Sequence, residues 1–351
     1  MVMRDLKNSE LILKEKIRQI LPGLEIEEIQ AEVKIRDARV DFLLTGNLKG
    51  EEYVFVCEVK SSSFPSHVLS TVTQLKKVIS EYKNAYPIII APYISQRSAE
   101  ICQQNQVGFI DLEGNAYLCF DNILIDKRVR ERTKVEKREV VEIFSPRATR
   151  IIRVLLENKK EKWLITDLAK EANVSLGYTS NVLKALVNQG YVEREKRKGF
   201  QVKDRTALLD RWASVYDFSQ NKIINLYTFE KDFGSLFKRI NDVSDSLKLK
   251  CGLTLLSGAS IVAPYVARFA DIYLYIQGDI KIWKEKLDLR EVEAGANFYL
   301  IIPYDEGVFY GLNKAKGAPV VGNIQLYLDL IKYPARGKEQ AEYLRNQLIK
   351  F

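Results

Sequence analysis

The run VDFLLTGNLKGEEYVFVCEVKSS, residues 40–62, carries Asp41, Glu58 and Lys60 in stretches otherwise built of strand-forming apolar residues. Side chains alternate faces along a strand, so Glu58 and Lys60 point one way and Cys57 and Val59 the other. Asp41, between Val40 and Phe42, can come alongside if the two stretches pair as a hairpin. Two carboxylates and an ammonium beside a hydrophobic core are costly unless they pair or bind a cation. The set suits phosphodiester hydrolysis: two carboxylates hold Mg2+ or Mn2+, the cation lowers the pKa of a bound water and neutralises phosphate charge, and the ammonium orients that water. A solvated, charged strand face would give the same spacing. Val54 and Val56 share the Glu58 face, however, so that face is apolar before it becomes acidic.

The elements needed to bring these residues together are readable around them. In NSELILKEKIRQILPG, Leu13, Ile17, Ile20 and Leu21 fall on one helical face, with Asn8 or Ser9 as cap and Pro22-Gly23 as stop. Strand-like runs follow at 24–35, 38–45 and 52–60, the last two joined through TGNLKGE. A helix is expected over about 66–84, a buried strand over 86–93, a short helix near 97–106, and then the strand-turn-strand VGFIDLEGNAYLCF, in which Asp111, Glu113 and Asn115 have a structural part. The lone histidine, His67, reads as a solvent-facing residue in a helix's first turn.

The αβββαβ order around Asp41 and Glu58-Val59-Lys60 resembles the PD-(D/E)XK, or restriction-endonuclease-like, nucleases. The resemblance implies an α/β domain with Asp41 and Glu58 as metal ligands and Lys60 beside the attacking water. It also implies a supporting polar residue on the following helix, here Gln74, and a further acid on the first helix, here Glu10. Val40 stands where some members carry proline.

At 351 residues the chain is long enough for two or three domains. The apolar fraction of 46% and charged fraction of 28% are those of a soluble protein. No apolar run approaches the roughly 18 to 20 residues of a membrane span, and the start, MVMRDLKNSE, lacks a signal-peptide core, so a cytoplasmic protein is expected. Cys57, Cys102, Cys119 and Cys251 are scattered without metal-site or disulfide spacing and are expected as buried thiols. The formal charge is +8, and residues 141–215 hold 15 Lys and Arg against 9 Asp and Glu, a net of +6. That concentration suits a polyanion partner.

The basic segment has its own pattern. In ITDLAKEANVSLGYTSNVLKALVNQGYVEREKRKGF, apolar stripes mark two helices around the turn NVSLGY, with Thr166 and Ser175 as caps. The second helix would present Ser175, Tyr178, Thr179, Ser180, Asn181 and Lys184 near its start, groups able to reach base edges or phosphates. After Gly190, two short strands would form a wing carrying Arg194 and a tip of Lys196, Arg197 and Lys198. Residues 145–205 resemble MarR-like or ArsR-like winged helix-turn-helix domains, which implies binding to double-stranded DNA, with a homodimer as the expected state.

Beyond 216, LTLLSGASIVAPYVARFADIYLYI sets small residues ahead of Asp271-Ile272-Tyr273, a faint echo of nucleotidyltransferases in which Tyr273 replaces the second acid, so nucleotidyl transfer is not expected. LLSGAS, FYLIIPYDEGVFYG and the closing run to Leu348 resemble the AbiEi-type regulators of type IV toxin-antitoxin systems. That resemblance implies transcriptional repression and a cognate toxin partner. In the closing run Leu326, Leu328, Leu330 and Ile331 suit either a docking element or core packing.

The expected plan is an α/β restriction-endonuclease-like domain over 1–125, a charged connector over 126–144, a winged helix over 145–215 and an α+β domain over 216–351. The function expected is a DNA-binding AbiEi-type regulator whose first domain hydrolyses nucleic acid with Mg2+. Two alternatives stay open: an inactive nuclease fold within a pure repressor or antitoxin, and a defence or repair endonuclease targeted by its winged helix.

Overall fold

A computed structural model describes residues 6–35, 38–128, 143–195, 199–266, 269–334 and 336–351. They divide into two compact units, one running to Glu139 and including Val187–Gly190, the other comprising Val140–Leu186 and Tyr191–Phe351. Apart from Val187–Gly190, the expected segments 145–215 and 216–351 therefore fall within one unit. No helix among the described residues is long and apolar enough to cross a membrane.

The first unit holds α1 (Leu6–Ile20), β1 (Leu24–Ile35), β2 (Ala38–Leu48), β3 (Glu51–Val59), α2 (Pro65–Ile79), β4 (Ala85–Ala91), α3 (Gln96–Gln104), β5 (Gly108–Asp111), β6 (Ala116–Phe120) and β7 (Ile123–Lys127). Its seven strands lie in sequence order, antiparallel except for the parallel pairs β3/β4 and β4/β5. Parallel neighbours need a crossover, which α2 and α3 supply. One face of the sheet packs Phe42, Leu44, Phe55, Cys57 and Ile88 against Leu13 and Ile17 of α1. The other packs Leu43, Val56, Ile89 and Phe109 against Val68, Val72 and Leu75 of α2 and Ala99 and Cys102 of α3.

Several expected boundaries shift. β2 and β3 run closer together than TGNLKGE suggested: they meet at Lys49 and Gly50, both with positive φ (56° and 90°), the tight two-residue turn whose twist matches a hairpin. β7 reaches Lys127, past the expected start of the connector, and residues 129–142 of that connector lie outside the described residues. Cys57, Cys102 and Cys251 are buried, whereas Cys119 is exposed, because its position on β6 faces away from the apolar core that holds Leu118.

The second unit opens with α4 (Pro146–Glu157), β8 (Lys162–Trp163), α5 (Ile165–Glu171), α6 (Leu176–Asn188), β9 (Val192–Glu195) and β10 (Gly199–Val202), with β10 central in a three-stranded antiparallel sheet. It continues through α7 (Arg205–Val215), β11 (Lys222–Tyr227), α8 (Phe233–Leu247), β12 (Cys251–Thr254), α9 (Leu255–Val262), β13 (Ile272–Ile276), α10 (Ile280–Leu287), β14 (Arg290–Glu291), β15 (Phe298–Ile302), β16 (Asn313–Ala315), β17 (Ala318–Val320), α11 (Asn323–Ile331) and α12 (Gly337–Leu344). The later strands form a mixed sheet of order β14-β11-β15-β13-β12-β17-β16. Leu326, Leu328 and Leu330 are fully buried, so core packing, not docking, accounts for that apolar run.

Helix α4 joins the two parts of this unit. Eight of its residues, from Ala148 to Leu156, are buried, more than a one-sided amphipathic helix hides. Arg150 grips Asp305 in a two-toothed pair, Nε to Oδ1 at 2.8 Å and Nη2 to Oδ2 at 2.9 Å. Arg153, 1% exposed, donates from Nη2 to Gln325 Oε1 at 2.6 Å. Glu157 Oε1 accepts from the Ile324 amide at 2.6 Å, and a Cβ at Gly322 would sit 2.5 Å from that oxygen, so only glycine fits there. Behind α4, fully buried Asp329 accepts from Tyr216 and Thr254 hydroxyls, each at 2.6 Å, and from Gln325 Nε2 at 2.7 Å.

Burial pushes the Glu157 carboxyl up to about 7 against the opposing pull of the Ile324 amide and Arg153, and burial pushes Asp329 up to about 6 despite its hydroxyl and amide donors. A carboxyl whose pKa is higher folded than unfolded binds more protons in the native state, so its contribution is present at low pH and is lost as pH rises toward the folded value. Stability should therefore fall between about pH 4.5 and 7, by on the order of 2 kcal/mol for Glu157 alone. Glu157→Gln should flatten that slope in urea unfolding curves taken at pH 5, 6, 7 and 8; an undiminished slope would exonerate Glu157.

Candidate active site

Asp41, Glu58 and Lys60 converge where β2 and β3 part. The two strands are paired from Leu48 with Glu51 to Phe42 with Cys57. Past that point the next amide of β3 is taken by a side chain instead of the ladder: Val59 N–H donates to Asp41 Oδ2 at 2.8 Å. The Asp41 amide in turn donates to Glu58 Oε2 at 3.3 Å, and Lys60 Nζ donates to Glu58 Oε1 at 2.6 Å. Lys60 is itself fixed by its amide, which donates to the Ile90 carbonyl of β4 at 2.8 Å.

Burial makes this cluster unusual. Glu58 is 5% exposed, whereas Asp41 is half-buried and the Lys60 side chain keeps 28% of its surface. Desolvation is the largest influence on Glu58 and holds its carboxyl above the ordinary range; the nearby Asp41 charge pushes the same way, while the Lys60 ammonium and the Asp41 amide pull it down. A carboxylate so placed gains from a cation. Among the described residues no group of three or more His, Cys, Asp or Glu side chains comes together as a metal site. Two carboxylates still fit Mg2+, which keeps several waters and is commonly held by one or two carboxylates with substrate phosphates.

The other expected site residues have partners of their own. Glu10 lies on α1 and forms an ion pair with Lys14 at 2.9 Å, one turn on along the same helix. Gln74, half-buried on α2, donates from Nε2 to the Arg39 carbonyl at 2.7 Å, so it holds the backbone two residues before Asp41. Asp111 is fully buried and accepts from the amides of Ile94, Glu113 and Asn115 and from Asn115 Nδ2, which is the structural part expected of it. His67 is exposed.

In the second unit, α6 presents Ser180, Asn181 and Lys184 to solvent, and Ser175 just before it is exposed too. Ser175 Oγ accepts from the Tyr178 amide at 3.4 Å, a cap as expected. One of the proposed contact residues turns inward and another is half-buried. Thr179 is fully buried with its hydroxyl on the Ser175 carbonyl at 3.0 Å, since it lies one turn before Val182 and Leu183 on the core side of α6. Tyr178 is half-buried, its hydroxyl 3.2 Å from Ser145 Oγ and its ring beneath Arg147 at 6.0 Å. Thr166 lies inside α5, whose N-cap is Leu164. Arg194 is exposed on β9 with its guanidinium 5.8 Å from the Phe200 ring. Lys196, Arg197 and Lys198 lie outside the described residues. On β13, Tyr273 stacks on Tyr299 of β15, centroids 4.4 Å apart and planes 7° from parallel.

Residues 201–350 match the family described as AbiEi_2: Transcriptional regulator, AbiEi antitoxin, Type IV TA system. No curated protein matches the chain. Among solved structures, a repair endonuclease from Pyrococcus abyssi is 22% identical, with 31% of this chain and 47% of that one covered at a TM-score of 0.26. EndoMS in a double-stranded DNA complex is 23% identical over 30% of this chain and 42% of that one, TM-score 0.23. EndoMS in its apo form is 15% identical over 31% and 46%, TM-score 0.23. The chain thus spans less than half the length of each.

Removing the ammonium leaves Glu58 buried without its strongest partner. Lys60→Met should raise the Glu58 carboxyl further and lower stability at pH 7 by about 2 kcal/mol. Because the native state then holds the proton more tightly, the deficit should shrink as pH falls toward 4. Chemical denaturation at pH 7 and pH 4.5 checks this; an equal deficit at both would mean that Lys60 acts through its packing.

Proposed function

We propose that the protein is a DNA-binding transcriptional regulator of the AbiEi antitoxin type whose first unit hydrolyses nucleic-acid phosphodiesters with Mg2+. The match of residues 201–350 to the AbiEi family supports the regulatory part. The nuclease part is carried by one observation: a nearly buried Glu58 sharing its oxygens between the Lys60 ammonium and the backbone of Asp41.

Asp41 and Glu58 would hold the cation, which when bound lowers the pKa of a water and neutralises phosphate charge. Around it the chain's own groups set the geometry. The Val59 amide fixes one Asp41 oxygen and leaves the other open. Lys60 shares the Glu58 carboxylate, so an incoming phosphate competes for the ammonium and can draw it toward the attacked centre. Gln74, through the Arg39 carbonyl, keeps the strand under Asp41 in place.

For DNA, the three helices α4 to α6 and the β8-β10-β9 sheet make a winged helix-turn-helix, with α6 as the recognition helix. Its outward groups Ser175, Ser180, Asn181 and Lys184 suit the major groove, and Arg194 on the wing suits a phosphate. A two-fold operator and a homodimer follow from the way such helices read paired half-sites. The later part of the unit would meet the cognate toxin, a partner of the kind the family's type IV systems contain.

With Mn2+ or Mg2+ the wild-type chain should cut a panel of duplex, single-stranded and branched substrates, and Asp41→Ala and Lys60→Ala should cut none while retaining duplex affinity; an inert wild-type chain would leave the regulator alone standing. Lys184→Ala should weaken duplex binding across sequences and reduce the salt slope by about one, whereas Asn181→Ala should cost about 1 to 3 kcal/mol on the preferred sequence only. Binding isotherms at several salt concentrations decide between these.

A further inference from the structure

The β1–β2 hairpin changes face in mid-strand, and the change falls opposite Asp41. Near its open end Ile26, Ile29, Phe42 and Leu44 pack on the α1 side of the sheet. Nearer its tip Val33, Ile35, Ala38 and Val40 pack on the α2 and α3 side. Residues two apart on a strand share a face. Phe42 and Val40 can sit in opposite cores only if the backbone rotates between them, and the same holds for Ile29 and Val33. The ladder pairs Ala31 with Phe42 and Val33 with Val40, in unbroken register. The position between is Glu32 facing Asp41.

On β1 the rotation is carried by Glu32, whose φ of 54° is left-handed, a region costly for a residue with a Cβ. Its carboxylate does not explain its place. It pairs with Arg39 Nη2 at 2.5 Å, with both side chains largely in water at 47% and 63% exposure, and such pairs contribute little. A residue held in an unfavourable backbone region is held by its surroundings, here Val33, Ile35, Ala38 and Val40 packed on the α2 side of the sheet, where Gln74 takes the Arg39 carbonyl.

On β2 the consequence falls on Asp41. At the crossing its side chain belongs to neither face and lies along the sheet, where its carboxylate takes the Val59 amide beside Glu58. We propose that Glu32 is the positioning residue for Asp41: its left-handed backbone, not its charge, turns the hairpin and sets the Asp41 carboxylate between Val59 and Glu58. The importance of this to cation binding rests on the reading of Asp41 and Glu58 given above; the backbone relationship does not.

The test uses the full chain and amide hydrogen exchange at Val59, with Val56 in the intact ladder as the control. Glu32→Gly and Glu32→Asn accept a positive φ, and both should keep Val59 protected to within about threefold of wild type. Glu32→Val resists that conformation and should lose about tenfold or more of the protection at Val59 while Val56 stays protected. Mn2+ affinity, read by titration calorimetry, should be unchanged in Glu32→Gly and about tenfold weaker in Glu32→Val. If Glu32→Val does not fold, Glu32→Ala against Glu32→Gly gives the same comparison: lower Val59 protection in the alanine variant supports the assignment, and equal protection overturns it. Loss of protection in Glu32→Gly equal to that in Glu32→Val would overturn it too, by returning the role to the carboxylate. A wild type that binds no Mn2+ while the Val59 pattern holds would remove the metal reading and leave the positioning role intact.

Discussion

A carboxylate at the inner end of an apolar strand governs the first unit. Tyr53, Phe55, Val56 and Cys57 lead to Glu58 through positions that are all buried, and a charge there is tolerated only where partners replace the water it loses. Lys60 supplies one partner from just beyond the same strand, and the Asp41 backbone supplies another from the neighbouring strand. The second is available only because β2 leaves the ladder after Phe42. An uninterrupted hairpin would have spent the Val59 amide on a backbone carbonyl and left Asp41 on one face or the other.

The rest of the unit holds that opening in place. β4 is buried along almost its whole length, with a core on each side of the sheet, which makes it the fixed reference to which Lys60 is tied through the Ile90 carbonyl. Helix α2 closes one face and reaches through Gln74 to the Arg39 carbonyl, two residues before Asp41. The cluster is thus supported by rigid elements on both strands, which is the condition for a site to keep its geometry when a charged ligand arrives.

The second unit meets the same cost with different means. Arg153, Gln325 and Asp329 form a buried relay closed by hydroxyls from Tyr216 and Thr254, and Glu157 rests against a glycine-lined turn. Because α4 contributes Arg150, Arg153 and Glu157 to the later sheet's helices and loops, the helices around α6 and the AbiEi-like region share one interior. A shift of α11 would be felt along α4 through Arg153 and Glu157.

The elements of the first unit were legible in the chain because apolar periodicity, Pro22-Gly23 and the short strand runs are local signals; that Asp41 would meet Glu58 by leaving the ladder and turning along the sheet was not. Thr179 was not legible: at the start of α6 a hydroxyl reads as an outward polar group, yet the helix turns it onto its own backbone and into the core. No local pattern announces the partner of half-buried Tyr178, since Ser145 lies 33 residues away in sequence. Nor could periodicity announce Glu32, because a left-handed glutamate leaves no mark on composition.

The sequence by itself determined the residue types able to bind a cation, the strands that carry them and the order of the helices that cover them, since each depends on neighbours a few positions away. The tertiary structure alone decided that Glu58 is nearly sealed from water, that Asp41 turns along the sheet, and that α4 belongs to the interior of the region following it. Those outcomes depend on desolvation and on backbone groups competing for partners across strands, and both are set by which distant surfaces close together.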